Sequence, residues 1–434
     1  MTPPPRPGLL KAYGLATTAL SPLAPALLRY RSGRGKEDTD RLPERYGRAA
    51  RPRPTGALVW AHGASIGETL SLLPVVEALV QRGTKVLVTS GTVTSASVLA
   101  RRLPSGARHQ YLPLDVPRFV RRFLEHWRPD AAIFAESEIW PNAILELDRR
   151  GVPLLLVNAR VSPRSAGRWR RMAPVAQALF GRVEVCVAQT EEDGVRLAEL
   201  GAPVRSVSGN LKFDLPPPPA DPAAVEKLDA LLAGRPLWMA ASTHRGEELA
   251  AFEAHRALRQ RCPGLLTIVA PRHPERGADL VDDARALGVQ AVRRSAGAGP
   301  DTAKDVYLVD TIGELGLFYR LCPLVFVGGS LTEHGGQNPF EAARLGRGVL
   351  HGHHVGNFAA IYAALDRGGG ARAVETPAAL TAAVGDLVGD AARLRDMGRA
   401  SVETALSLGG ALARTMTAIE PSLPRRQDPG AAFW

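Results

Sequence analysis

The chain has 434 residues, of which 45% are hydrophobic and 22% are charged, a composition typical of a globular protein with two domains. The net charge of +11 indicates an anionic partner such as a phosphorylated or carboxylated substrate or an anionic lipid. Nucleic acid is not expected, because no aromatic-studded basic block or zinc-finger spacing occurs. The three cysteines are far apart, which excludes a disulfide framework and fits a reducing cytoplasm.

The N-terminal segment, residues 1–35, contains an uncharged stretch at 12–28 followed by a basic run at 29–36. The stretch is short for a membrane span, and Pro22 and Pro25 interrupt it. Basic residues beside an apolar segment bind the anionic cytoplasmic leaflet, so we predict that this segment associates with a membrane. Both a span and a surface-bound helix fit the pattern, and the alternative is a soluble amphipathic helix.

From residue 57 onwards, short apolar runs alternate with amphipathic segments of helical length, which predicts parallel sheets covered by helices on both faces. In the first half the runs are ALVWAH (57–62), TKVLVTS (84–90), DAAIFAE (130–136), VPLLLVNA (152–159) and VEVCVAQ (183–189). In the second half they are PLWMAAS (236–242), GLLTIVAP (264–271), DVYLVD (305–310), PLVFVGGS (323–330) and RGVLHG (347–352). We predict two doubly wound α/β domains at 36–214 and 223–425, with a stiff proline linker at 215–222 and a tail at 426–434.

Two loops of the first half place glutamates directly after apolar runs, HGASIGE (62–68) and ESEIWPN (136–142). Ligands of open α/β sheets bind at the carboxyl ends of the strands, so Glu68, Glu136 and Glu138 are candidates for general-base work and charge stabilisation. Two interpretations of Glu68 remain open at this point: a catalytic group, or an acid in the first turn of a helix starting at Thr69.

A cation ends the first half, Lys212 in SGNLKFD (208–214). It can hold a phosphate or a carboxylate, and the alternative is a solvated lysine. NARVSPRS (158–165) adds Arg160 and Arg164 on a loop that joins a strand to a helix.

The second half carries signals of a phosphorylated ligand. ASTHRGEE (241–248), APRHPE (270–275) and VGGSLTEHGGQNPFEAA (327–343) each join a strand to a helix through small, hydroxyl or basic residues, which suit anion binding. Neither GxxxxGK[ST] nor a GxGxxG after a strand occurs, which disfavours a P-loop NTPase and a dinucleotide enzyme. The histidines of HGHHVGNF (351–358) are more typical of a loop at a strand end than of a metal site.

These motifs, together with RLPERYGR (41–48), SGTVTSA (90–96) and YLPLD (111–115), occur in an order that resembles the 3-deoxy-D-manno-octulosonic acid (Kdo) transferases of lipid A biosynthesis. The resemblance runs from about Arg34 to the late 350s. It implies a GT-B glycosyltransferase, with two Rossmann-like domains facing a central cleft, at the cytoplasmic face of the inner membrane. The donor would be CMP-Kdo and the acceptor the lipid A precursor lipid IVA, with inversion and with neither a cofactor nor a metal ion.

The resemblance also assigns roles to matching residues. It implies that Glu68 is the general base and that Glu138 and Lys212 stabilise the transition state. The implied contacts to CMP are Pro271, Arg272, Ile312, Gly313, Glu314, Asn338, Pro339, Phe340 and Glu341. Two alternatives are another GT-B enzyme that uses a UDP-sugar, as a transferase or a 2-epimerase, and a non-catalytic nucleotide-binding module at the membrane surface.

Overall fold

The computed structural model describes residues 7–232, 234–297, 299–300 and 304–425, and the chain divides into two compact units. The first unit comprises residues 1–215 and 409–434, and the second comprises residues 216–408. The division between residues 215 and 216 lies within the predicted linker. The predicted tail at 426–434 lies outside the described residues.

The first unit contains the elements α1 to α10, β1 to β7 and the C-terminal helix α19. Its helices are α1 (Gly8–Leu20), α2 (Ala24–Ser32), α3 (Leu42–Arg45), α4 (Ile66–Gln81), α5 (Val93–Arg102), α6 (Pro117–Trp127), α7 (Pro141–Arg149), α8 (Pro163–Arg170), α9 (Ala173–Phe180), α10 (Glu191–Glu199) and α19 (Ala411–Ile419). Its strands are β1 (Leu58–His62), β2 (Lys85–Ser90), β3 (Ala107–Tyr111), β4 (Ala131–Ala135), β5 (Leu154–Ala159), β6 (Val185–Ala188) and β7 (Val204–Val207).

The strands of the first unit form one parallel sheet in the order β3-β2-β1-β4-β5-β6-β7. Every residue of the central strands β1 and β4 is buried, because helices cover both faces of the sheet. This explains why these strands are apolar throughout instead of alternating. The chain reverses its direction of travel across the sheet at β1, so the loops after β1 and β4 lie side by side.

The N-terminal segment folds as two helices, α1 and α2, separated by a 3-10 turn at Ser21–Leu23. Pro22 and Pro25 interrupt the helical hydrogen bonds there. Leu10 and Leu28 are buried, which anchors both helices to the first unit. Among the described helices, none combines the length and the apolar character that a membrane span requires.

The C-terminal helix α19 belongs to the first unit, which corrects the predicted end of the second domain at residue 425. The Asp214 carboxylate accepts the backbone N–H of Gly410 at 2.7 Å, and Arg414 Nε donates to the carbonyl of Ser208 at 2.9 Å. Ile419 is buried in the apolar cluster on one face of the first sheet. The second domain therefore ends near residue 408.

The second unit contains α11 to α18 and β8 to β14. Its helices are α11 (Pro222–Leu232), α12 (Glu247–Leu258), α13 (Gly277–Ala286), α14 (Leu315–Leu321), α15 (Phe340–Arg344), α16 (Ala359–Gly368), α17 (Pro377–Leu387) and α18 (Ala391–Leu408). Its strands are β8 (Leu237–Thr243), β9 (Leu266–Pro271), β10 (Ala291–Arg293), β11 (Val306–Leu308), β12 (Leu324–Val327), β13 (Gly348–His351) and β14 (Ala371–Ala373).

These strands form a second parallel sheet in the order β10-β11-β9-β8-β12-β13-β14, again doubly wound. The proline-rich stretch packs against α14 of the same unit instead of hanging free. Arg320 Nη1 donates to the carbonyl of Pro218 at 2.7 Å, and a side chain at Gly316 would come within 2.4 Å of the Pro219 carbonyl oxygen. Most of the predicted linker is thus an ordered part of the second unit.

Candidate active site

Glu68 lies in the first turn of α4, three positions after the N-cap residue Ser65. Glu68 Oε2 accepts the N–H of Ala64 at 2.7 Å and that of Ser65 at 3.2 Å, and the Ser65 hydroxyl donates to Oε1 at 2.8 Å. This capping box satisfies N–H groups that precede the helix, and it starts α4 at Ile66, three residues before the expected Thr69. Glu68 is therefore a helix-start acid, whatever else it does.

Glu138, in the loop after β4, brings a second carboxyl group to the same place. Trp140 Nε1 donates to Glu138 Oε2 at 2.8 Å, His62 Nε2 lies 3.4 Å from that oxygen, and Glu68 is within hydrogen-bonding range. Burial alone would raise the pKa of Glu138, but its contacts with His62, Trp140 and Glu68 outweigh burial and lower this pKa below its ordinary value. Glu138 is thus an anion at neutral pH beside a second carboxyl group.

His62, the last residue of β1, is completely buried behind Glu138. Trp60 Nε1 donates to Thr89 Oγ1 at 2.8 Å, and the same oxygen lies 2.9 Å from His62 Nδ1. Within the described part of the chain, His62 Nε2 makes no full hydrogen bond, and its long contact is with Glu138. A chain of polar groups therefore runs from the sheet core to Glu138.

Lys212 lies beside the start of α4 as well. Its Nζ donates to Glu136 Oε1 at 3.0 Å, and Arg160 Nε lies 3.7 Å from Glu136 Oε2. A Cβ at Gly67 would lie 3.5 Å from Lys212 Nζ, an ordinary contact distance that places the ammonium group beside the first turn of α4. Glu136 has a φ of 53°, an uncommon left-handed conformation that turns the chain sharply after β4.

The backbone that carries Lys212 is fixed by two asparagines. Asn158 is buried at the end of β5, and its Oδ1 accepts the N–H of Leu211 at 3.0 Å. Asn210 Oδ1 accepts the N–H of Lys212 itself at 3.0 Å. The structure thus brings the three predicted catalytic residues Glu68, Glu138 and Lys212 to the carboxyl end of the first sheet.

In the second unit, the buried Glu247 organises the glycine-rich loop after β12. Its Oε2 accepts the N–H groups of His244 at 2.8 Å and Gly329 at 2.7 Å. Its Oε1 accepts those of Ser330 at 3.0 Å and Leu331 at 2.9 Å. This part of the loop, expected to bind an anionic ligand through its backbone, already binds a carboxylate of the protein.

His244 links the loop after β8 to the predicted donor-binding residues. Its ring stacks on His334 with centroids 4.0 Å apart, and its Nε2 lies 3.1 Å from Gln337 Nε2. Burial chiefly, and then the neighbouring charges of His334, His273 and Arg272, lower the pKa of His244, so the ring is neutral at pH 7. A neutral imidazole here can both donate and accept a hydrogen bond.

The residues predicted to contact CMP fall into three groups along the second sheet. Pro271 ends β9, and the exposed Arg272 follows it. Ile312 is 90% exposed, and Glu314 accepts hydrogen bonds from Arg294, at 2.7 Å from Nη2, which hold the pKa of Glu314 below its usual range against the effect of burial.

The third group surrounds the short helix α15. Asn338 Oδ1 accepts the N–H of Phe340 at 3.0 Å, Pro339 is the N-cap residue, and Glu341 lies in the first turn. Phe340 is buried, so its side chain supports the turn from inside. In the second group, Gly313 lies between Ile312 and Glu314 and has a φ of +90°. Arg272 and the segment before α15 have His244 as a common neighbour.

The second unit repeats the polar chain of the first unit in another place. Trp238 Nε1 donates to Thr267 Oγ1 at 2.8 Å, His255 Nδ1 lies 3.0 Å from that oxygen, and His255 Nε2 lies 3.3 Å from Asp305 Oδ1. Trp238, Thr267 and Asp305 lie at or just before the starts of β8, β9 and β11. This chain is therefore at the amino end of its sheet, away from the strand-end loops.

Comparison with known proteins identifies the family. A family model described as 3-deoxy-D-manno-octulosonic-acid transferase (kdotransferase) matches residues 40–215. The 3-deoxy-D-manno-octulosonic acid transferase of Haemophilus influenzae is 36% identical over 397 residues, covering 89% of this chain and 92% of that protein. The protein of the same name from Bordetella pertussis is 37% identical over 429 residues, covering 94% and 98%. The chain belongs to the Kdo transferase family.

The resemblance drawn from the motifs is confirmed, and so is the enzyme class, because a Kdo transferase is a glycosyltransferase. A glycosyltransferase from Rickettsia africae, 12% identical, superposes with a TM-score of 0.56 and covers 85% of this chain and 99% of its own. At that identity the likeness shows the fold alone. The two-domain α/β fold of the GT-B type is likewise confirmed.

Sequence reasoning assigned no role to His62, His244 or Glu247. His62 is the last residue of β1, His244 directly follows β8 and Glu247 begins α12, so position at a strand end or a helix start is the available signal. Their partners are far away in sequence, so local spacing does not reveal them. Contacts such as Glu247 with the N–H of Leu331 emerge only from the fold.

Proposed function

We propose that this Kdo transferase moves Kdo from CMP-Kdo to the lipid A precursor lipid IVA, with inversion at the anomeric carbon. The observation that carries the mechanism is the proximity of two carboxyl groups, Glu68 and Glu138, at the carboxyl end of the first sheet. Paired carboxyls in unlike environments can divide the roles of base and electrostatic stabiliser.

In this mechanism Glu68 accepts the proton of the acceptor hydroxyl. The acceptor oxygen forms a bond to the anomeric carbon of Kdo while the bond from that carbon to the phosphate oxygen breaks. CMP leaves with the bonding electrons. The anomeric carbon gains positive charge in the transition state, and the anionic Glu138 stabilises it.

Lys212 supplies the opposite charge, for the Kdo carboxylate or for the leaving phosphate. Its partner Glu136 holds the ammonium group in place at 3.0 Å without burying it, so the ammonium can exchange this contact for a substrate anion. Lys212 is thus proposed as the second transition-state stabiliser.

Donor binding is assigned to the second unit. Arg272 is exposed and suits the single phosphate of CMP, while Ile312 and Gly313 present an open surface before Glu314. Asn338 and Glu341, at the start of α15, offer polar groups for the ribose hydroxyls. The monophosphate carries less charge than a nucleoside diphosphate, and the proposal therefore includes no metal ion.

The N-terminal helices are proposed to bind the cytoplasmic face of the inner membrane. Leu15 is 73% exposed, Leu23 is 63% exposed, and several further large apolar side chains of α1 and α2 face outward in the same way. Arg29 and Arg34 are exposed next to them. An apolar surface with basic neighbours lies in the interface of an anionic bilayer, where the acyl chains of the acceptor are also embedded.

The reaction is tested with purified enzyme, CMP-Kdo and tetraacylated lipid IVA, and the lipid product is weighed by mass spectrometry. The expected result is a mass increase by one or more Kdo units. Turnover of a UDP-sugar, with no product from CMP-Kdo, would overturn the proposal in favour of another GT-B activity.

Membrane binding is tested by sedimentation with vesicles that contain anionic phospholipid. Replacing Leu15 and Leu23 by Glu should release the enzyme from the vesicles, because each buried leucine contributes roughly 1.5–3 kcal/mol to the binding free energy. The matched control replaces Leu231 and Leu406, which are 50% and 73% exposed but lie on α11 and α18 of the second unit. Equal loss of binding in both pairs would contradict the assignment to the N-terminal helices.

A further inference from the structure

The position of the ring proton on His62 follows from its neighbours. An indole N–H only donates, so Thr89 Oγ1 accepts from Trp60 and can give its own proton to His62 Nδ1 at 2.9 Å. The Thr89 carbonyl lies 3.1 Å from Nδ1 but already accepts the N–H of Gly63. With Nδ1 accepting from Thr89, a ring proton lies on Nε2, 3.4 Å from Glu138 Oε2.

The other tautomer is unfavourable at this site. A proton on Nδ1 would leave the Nε2 lone pair facing a carboxylate oxygen in a fully buried position. With the proton on Nε2, the N–H group of His62 faces the Glu138 carboxylate. The buried Nε2 atom, which otherwise lacks a full hydrogen bond, then has the partner that a buried polar group requires. The geometry thus orients His62 as a donor to Glu138.

We propose that His62 is a positioning residue for the transfer reaction, whose Nε2–H holds Glu138 as an anion against the carboxyl group of Glu68. The inference rests on the proposed function of Glu68 and adds a residue to which no role has been given. The same hydrogen bond fixes the orientation of the Glu138 carboxyl group beside Glu68. Glu68 itself is held by the three donors of the capping box.

The polar and charged groups around Glu138 determine which ionisation the pH profile of kcat/KM reports. His62 faces it from β1, Glu68 from α4 and Trp140 from its own loop. Glu136, two residues earlier, is paired with Lys212. Removing the donor on His62 makes ionised Glu138 less stable, so the acidic limb of kcat/KM should move to higher pH.

Two conservative substitutions of His62 test the roles of its two ring nitrogens one at a time. The amide of His62→Asn reaches the position of Nδ1 and keeps the Thr89 contact, whereas that of His62→Gln reaches the position of Nε2 and keeps a donor for Glu138. We expect His62→Asn to lower kcat about 100-fold and to move the acidic limb upward, because a small displacement of a reacting group has effects of that size. His62→Gln should restore most of the rate and the original limb.

The chain provides a matched control in His255, which has partners of the same kind, Thr267 and Asp305, at the amino end of the second sheet. His255→Asn and His255→Gln, checked for folding by circular dichroism, should leave the pH profile unchanged. If the folded His62→Asn and His62→Gln enzymes have the same rate and the same pH profile as each other, the positioning role is overturned. If Glu68→Gln also keeps the wild-type rate, the general base is misassigned, and the proposed function fails instead.

Discussion

The two units contain the same local parts and arrange them differently. Each has a glutamate at the start of the helix after a central strand, Glu68 and Glu247, and each has a Trp-Thr-His-carboxylate chain. In the first unit both parts lie at the carboxyl end of the sheet, and the chain ends beside Glu68 at Glu138. In the second unit the histidine chain lies at the opposite end from Glu247.

This difference shows that composition alone does not make a catalytic pair. The carboxylate of Glu247 is saturated by four backbone N–H groups and is buried, so it serves the loop and has no access to a substrate. The carboxyl group of Glu68 also accepts backbone N–H groups, but it is only half-buried and touches a second acid. The same substitution at the two positions should therefore have opposite effects.

The largest expected effect is the loss of transfer in Glu68→Gln. Glutamine can keep the capping box but cannot accept the acceptor proton, so kcat should fall by about 10²–10⁴-fold while the melting temperature stays close to that of the wild type. Steady-state assays and thermal unfolding measure the two quantities, and CMP binding should persist. An active Glu68→Gln enzyme would mean that Glu68, like Glu247, has only a structural role at the start of its helix.

Glu247→Gln should have the opposite profile. The amide replaces an acceptor oxygen by a donor that faces backbone N–H groups, so the free energy of unfolding of the second unit should fall by about 3 kcal/mol. CMP binding should weaken as the loop at Gly329 loosens, whereas kcat at saturating donor should change little. Urea unfolding and calorimetric titration with CMP test this, with Glu253→Gln at an exposed position of the same helix as the control. Unchanged stability would mean that the glycine-rich loop after β12 keeps its conformation without the carboxylate of Glu247.

The sequence predicted much of this arrangement because strands and strand-end loops are local features. The alternation of apolar runs predicted five of the seven strands in each sheet and missed the edge strands β3, β7, β10 and β14. The position of Glu68 and Glu138 after β1 and β4 predicted their proximity. The return of α19 to the first unit was not predictable, since the contact of Asp214 with Gly410 joins positions nearly two hundred residues apart. The role of Glu247 was hidden for the same reason.

The two units should also differ in how strongly acid lowers their free energy of unfolding. Burial first, and then the charge of Arg41, lowers the pKa of His109 to about 3, and Arg41 Nη2 donates to its Nδ1 at 3.1 Å. Because this pKa lies below the unfolded value of 6.5, the stabilisation is present above pH 6.5 and is lost as the pH falls towards 3. Between pH 7 and pH 5 the loss should be about 2 kcal/mol.

His255 of the second unit provides the comparison for this prediction. Burial lowers its pKa too, but Asp305 opposes the shift, so acid should weaken the second unit less through this residue. Urea unfolding at pH 7 and pH 5 should therefore show a larger change in pH dependence for His109→Gln than for His255→Gln. An equal change in both variants would contradict the role of Arg41.

Removal of divalent metal ions should have the smallest effect. No group of three metal-binding side chains occurs in the described ranges, and the predicted sites present cations instead, Lys212 in the first unit and Arg272 in the second. The charge that a metal ion supplies to a leaving phosphate can come from these side chains. We expect the transfer rate to be unchanged by EDTA, with dialysed enzyme as the control. A rate that falls with EDTA and returns with Mg²⁺ would indicate that Glu136, Glu138 or Glu341 binds a metal ion together with the donor. The roles proposed for these carboxylates and for the two cations would then have to be reassigned.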